Sequence, residues 1–256
     1  MKKTLLQVLN LIAFIATAVI NILSTTIPLG YGDPGELSDA IPNLFVPAGL
    51  TFSIWGIIYF FLALFSIYQM RDIFKSEKVE MPFFDRIGYI FVISSLANIS
   101  WIFLWQYLFV PFSLIAMIIL LISLILIYTR LNIGKSKFST TEKLALQIPF
   151  SIYLGWITVA TIANVTAVLV DTFGVPSFGF IAEIWTILVI IVAVAITYII
   201  LFLRRDVAYS LVIVWALLGI YLKQSALNLT VATTALTALI AVLIGIIAVG
   251  IRWQKR

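Results

Sequence analysis

The chain has 256 residues, 63% hydrophobic and 11% charged, with a formal net charge of +5; soluble domains carry roughly 45–50% apolar and about 25% charged residues. These proportions exclude a soluble enzyme and a disordered chain, and long unbroken apolar runs exclude a β-barrel, whose strands alternate apolar-out and polar-in. Neither cysteine nor histidine is present, which removes disulfides, thiolate chemistry and the commonest general base and metal ligand, so no cofactor and no metal site is expected.

Apolar runs fall at 5–27, 49–70, 87–108, 111–130, 144–170, 181–203, 207–223 and 229–251. Each approaches the roughly 20 residues that a helix needs to cross the hydrocarbon layer, and a bilayer leaves an open backbone no partner. The prediction is an all-α polytopic bundle of about eight transmembrane helices. The first run follows Lys2 and Lys3 and contains Ala16-Thr17-Ala18, superficially a signal peptide, but it continues to Ile27 and is read as a retained span. The stretch 28–47 gathers glycines, prolines, Asp33, Glu36 and Asp39 without a cation; its turn-forming residues suit either an ordered external loop or lid, or a solvated connector. The seventh run is only just long enough to span, with Lys223 placed to snorkel at its outer end. In the last run Thr230, Thr234, Thr237, Ala241, Gly245 and Ala248 form a smooth stripe suited to close helix packing.

With the amino terminus in the cytoplasm, every lysine and arginine except Lys223 falls on the cytoplasmic face, the positive-inside bias of an even-numbered bundle. The basic balance therefore sets orientation and meets anionic lipid; nucleic acid is not a partner. The expected location is a prokaryotic plasma membrane, both termini cytoplasmic. Gly134-Lys135-Ser136 is not a phosphate loop, because Thr129 stands where the first glycine is required.

The informative residues are aromatic and amide. Trp55 and Tyr59 share one face of the second run; Asn98, Trp101 and Trp105 share one of the third; Tyr153, Trp156, Ala160 and Asn164 share one of the fifth. Tryptophans commonly anchor helices at the interface, but Trp101 and Trp156 sit well inside their runs. Asn98 and Asn164 in hydrocarbon require protein, ligand or water partners. The stripes either bond helix to helix or line a shared pocket, whose aromatic walls suit a flat, largely apolar molecule.

Pro47-Ala48-Gly49-Leu50-Thr51-Phe52-Ser53-Ile54-Trp55-Gly56-Ile57-Ile58-Tyr59 resembles the opening of the second helix in the TspO/MBR family, the tryptophan-rich sensory and translocator-like proteins. Asn98-Ile99-Ser100-Trp101 resembles its third-helix Asn-x-x-Trp, and Tyr153 to Asn164 its fifth-helix pattern. The similarity covers roughly residues 5–170. It implies a five-helix domain over 1–176; the additional three-helix segment over 177–256 has no counterpart in the resemblance. It also implies a cavity for porphyrins and related hydrophobic ligands, lined or supported by Trp55, Asn98, Trp101, Trp156, Ala160 and Asn164, and a homodimer. Val46-Pro47-Ala48-Gly49 departs from the family's Pro-Pro-x-Trp, and no Tyr/Arg sterol signature follows Asn164. The expected function is binding of a hydrophobic small molecule, without catalysis, as a sensor, receptor or transport accessory. The alternatives are a secondary transporter, for which mid-membrane coupling charges are missing, and an enzyme built on Asp33, Glu36 and Asp39.

Overall fold

The computed structural model describes residues 2–27 and 29–254; Met1, Pro28, Lys255 and Arg256, and the side chains of Lys2, Arg252, Trp253 and Gln254, lie outside what it describes. In chain order the elements are α1 (Lys2–Thr26), α2 (Pro34–Ala40), a 3-10 turn (Gly49–Ser53) running into α3 (Ile54–Gln69), α4 (Phe83–Ile87), α5 (Ile90–Gln106) and α6 (Val110–Arg130). There follow α7 (Thr140–Glu142), a π-turn (Lys143–Gln147) running into α8 (Ile148–Asp171), α9 (Phe180–Arg204), α10 (Val207–Gln224) and α11 (Leu229–Gln254). The described residues contain no strand. The protein is thus an all-α polytopic bundle.

Seven segments are long and apolar enough to cross a bilayer; α5, with 17 residues, is the shorter eighth. Its contacts extend along most of the bundle all the same. Near its start Phe91 packs on Phe65 of late α3 and Phe150 of early α8. At its last residue Gln106 Nε2–H donates to the carbonyl of Ser24, near the end of α1. Lys3 pairs with Asp72, just past α3, so α1 and α3 run antiparallel, and the alternation continues to α11. The cationic connections around 70–89 and 131–147 consequently share the Lys3 end, while 27–48, 107–109, 172–179 and 225–228 share the other.

Local chemistry fixes the turns. Asp33 and Ser139 close capping boxes with Glu36 and Glu142, each satisfying helix-end N–H groups. Arg205, at φ 55°, lets α9 reverse directly into α10, which Asp206 then caps. Outward positions such as Ile12, Ile15, Ile115 and Ile122 are half-exposed or more, the belt that lipid tails would cover.

The last three helices are built into the bundle rather than appended. α10 packs along α8, where Gly155 brings Val212 and Tyr209 so close that a Cβ would meet them at 3.0–3.1 Å. Asp206 is 1% exposed and accepts hydrogen bonds from Tyr128 Oη (2.8 Å) and Ser151 Oγ (2.6 Å), tying α6, α8 and α10 together. On the stripe of α11, Gly245 abuts the ring of Tyr198, whose hydroxyl donates to the carbonyl of Ala241 at 2.7 Å. Lys223 does not merely snorkel: it reaches across to Asp39 on α2, so opposite charge wins over free solvation.

Candidate functional site

A narrow cavity of about 40 Å³ lies toward the end opposite Lys3. Six of the residues expected from sequence line it: Trp55, Trp101, Trp105, Trp156, Ala160 and Asn164. The walls are set by ring against ring. Trp101 and Trp105 stack at 5.8 Å and 16°; Trp156 meets Trp55 and Phe52 edge-on at 6.2 and 5.8 Å. Trp55 in turn stacks on Tyr59 at 5.7 Å. Such offset and edge-on pairs suit the ring quadrupoles, which holds the indoles as a rigid frame.

Hydrogen bonds orient two of these rings. Trp105 Nε1–H donates to the carbonyl of Pro34 (3.2 Å), seating α2 over the cavity. Trp101 Nε1–H donates to Asn164 Oδ1 (3.0 Å), and Asn164 Nδ2–H donates to Ser113 Oγ (3.0 Å). Trp156 differs. Its side chain is 3% exposed and its Nε1–H has no partner, which is costly unless something else accepts the bond.

The remaining expected residues are placed elsewhere. Asn98 is wholly buried, accepting from Asn21 Nδ2 (2.7 Å) and donating to Tyr153 Oη (3.1 Å); this triad braces α1, α5 and α8 behind the wall. Tyr59 faces a second cleft of about 460 Å³ between α1, α2, α3 and α5, which shares Pro34, Phe52 and Trp55 with the first. Asp33, Glu36 and Asp39 border that cleft. Asp33 and Glu36 serve the capping box of α2, and Asp39 pairs with Lys223. Among the described residues no three carboxylates are grouped to hold a metal ion. The first cavity has no titratable side chain in its wall, so it offers aromatic faces, two amides and a hydroxyl, and no acid or base.

Sequence reasoning missed Pro34, Ser38, Asn43, Val46, Phe52, Ala163 and Ala167, which also line the cavity. Two were accessible: Ala163 and Ala167 continue the face of Ala160 and Asn164 at helical spacing. The others come from the 28–47 stretch and the turn after it. Leu37, Ile41, Leu44, Phe45 and Val46 are buried, so this external loop folds inward as a plug. α10 holds it there: Ala48 N–H donates to the carbonyl of Gly219 (3.0 Å), and Trp215 Nε1–H to that of Thr51 (2.9 Å).

Crossing helices, a lipid-facing apolar belt and an aromatic void near one face define an integral membrane protein of helix-bundle type. The family that its sequence matches is more specific. The chain belongs to the family of TSPO-like proteins, whose model matches residues 7–248, so the match continues through the last three helices, beyond the motifs that end near residue 170. No curated protein and no solved structure matches it significantly.

Proposed function

We propose that the protein binds a flat, largely apolar small molecule carrying at least one hydrogen-bond acceptor, and acts as a membrane sensor, receptor or transport accessory. One observation carries the reading: four tryptophans frame a void, and the buried N–H of Trp156, one of its wall residues, has no partner in the protein. Small-molecule sites typically offer roughly 300–1,000 Å³ behind apolar walls with few polar groups; the adjoining cleft of about 460 Å³, which shares Phe52 and Trp55 with the void, supplies that room. A metal-free tetrapyrrole has the required shape and acceptors. Trp55, Trp101, Trp105 and Trp156 would supply ring faces, Ala160 would leave room beside them, and Asn164 would fix the orientation of Trp101. Asn98, Tyr153 and Tyr59 would support the frame from behind. On this reading residues 1–176 form the ligand-binding unit and 177–256 brace it. The cation-rich end lies in the cytoplasm.

Titrating tryptophan fluorescence of the purified protein with protoporphyrin tests the proposal. Trp156→Phe keeps a ring and deletes the donor, so affinity should fall about tenfold, the equivalent of roughly 1.4 kcal/mol; Trp156→Leu should lose more. Unchanged affinity in both variants rejects the assigned pocket. Native mass spectrometry of the same preparation reports whether the homodimer implied by the resemblance forms. A second reading, transport, draws on the wide cleft that adjoins the cavity; counterflow of the bound molecule in proteoliposomes separates it from simple binding.

A further inference from the structure

The other end of the bundle holds a group of buried polar side chains that the cavity does not use. On α1, Gln7 and Asn10 are 0% and 1% exposed; on the facing part of α3, Ser66 and Gln69 are 2% and 0% exposed. Gln7 Nε2–H donates to the carbonyl of Gln69 (2.6 Å) and to Asp72 Oδ1 (2.7 Å). Both acceptors fix which way that amide points, and Gln7 Oε1 is left without a donor. Asn10 Nδ2–H donates to Gln69 Oε1 (3.0 Å), leaving Asn10 Oδ1 and Gln69 Nε2 unpartnered. Turning both amides over merely exchanges the atoms, and one donor and one acceptor remain free. Ser66 Oγ, one turn before Gln69, is unpartnered as well.

Four orphan groups within about two turns of each other identify their ligand by chemistry. A metal ion would suit the oxygens but would face the Gln69 amide hydrogens and the Lys3 ammonium. An anion would meet the Asp72 carboxylate. Only a neutral molecule that both donates and accepts satisfies the set, and buried water typically makes about three such bonds. We infer that α1 and α3 enclose a water-bearing half-channel that opens at the Lys3–Asp72 face and ends below Asn21. Lys3, whose side chain is 25% exposed, stands at its mouth, one turn from Gln7. Farther along the same face of α1 the polar groups are closed by protein: Thr17 Oγ1–H donates to the carbonyl of Ala13 and Asn21 to Asn98. Hydration therefore stops partway across the membrane. This inference is independent of the ligand reading above, since no residue of the chamber lines either cavity.

The natural absence of cysteine provides a direct test. N10C, S66C, the lipid-facing control I12C and the loop control K75C are reconstituted in vesicles, exposed to Ag⁺ on one side, then unfolded and capped with a maleimide to count the thiols that silver protected. Variants are carried forward only if they elute as the parent does, and the near-isosteric S66C preserves the reading if N10C fails to fold. Thiols react when water reaches them, so S66C and N10C should be silvered within about tenfold of K75C and roughly a hundredfold faster than I12C. The reaction should run from the side on which K75C reacts. Cysteines as inert as I12C would mean a dry chamber and overturn the inference, as would silvering confined to the opposite side.

Discussion

Asp72 shows how a single carboxylate can be kept ionised at the edge of a membrane. Burial raises its pKa, but hydrogen bonds from Lys3, Gln7 and the Val79 N–H, with the Lys3 charge, outweigh that and hold it at about 2 against an ordinary 3.8. A folded-state value below the unfolded one means that the stabilisation is fully present above about pH 4 and disappears as the pH falls toward 2. Asp72→Asn should therefore destabilise the protein by about 2 kcal/mol at pH 7, the scale of a hydrogen bond to a charged group. It should also flatten the loss of stability between pH 4 and 2. Unfolding in detergent followed at several pH values checks both. An unchanged acid profile would show that Lys3 and Asp72 are not coupled in the folded state.

Among the elements, α10 exerts most leverage on the cavity without lining it. At Gly219 a Cβ would come within 2.0 Å of Thr51 Oγ1 and 3.0 Å of Pro47 Cβ, on the turn that carries Phe52 into the cavity wall. Gly219→Ala must push that turn aside, an overpacking that costs about 1–3 kcal/mol. Affinity for protoporphyrin should fall several-fold although no contact residue has changed, whereas Gly250→Ala, in open space, should leave affinity as it was. The stripes on α3, α5 and α8 were legible because tryptophan, alanine and asparagine recur at three- and four-residue steps, and helical geometry then fixes a common face. What Asn98 does there was not legible. Its partner Asn21 lies on another helix, and the same spacing serves a ligand and a neighbour equally well. The polar face of α1 (Gln7, Asn10, Thr17, Asn21 and Ser24) has a regular spacing too, but in a run of overwhelming hydropathy its amides did not stand out as one line.

At the scale of the whole molecule, the charge pattern and the hydropathy runs already contained the eight-helix order, because a bilayer permits little else. They could not contain the seam between the first five helices and the last three, which depends on pairs far apart in sequence. Asp206 accepts from Tyr128 and Ser151, and Trp215 donates to the carbonyl of Thr51. A chain ended after residue 176 would leave these hydroxyls and this carbonyl facing lipid, where unsatisfied polar groups are expensive. It would also release the turn that Gly219 backs. Three lost partners at about 1–1.5 kcal/mol each correspond to a melting midpoint roughly 10 °C lower for a protein of this size, and the cavity should lose protoporphyrin binding along with it. If the shortened chain instead melts and binds as the full one does, the ligand-binding unit is self-sufficient and α9 to α11 serve something other than its support.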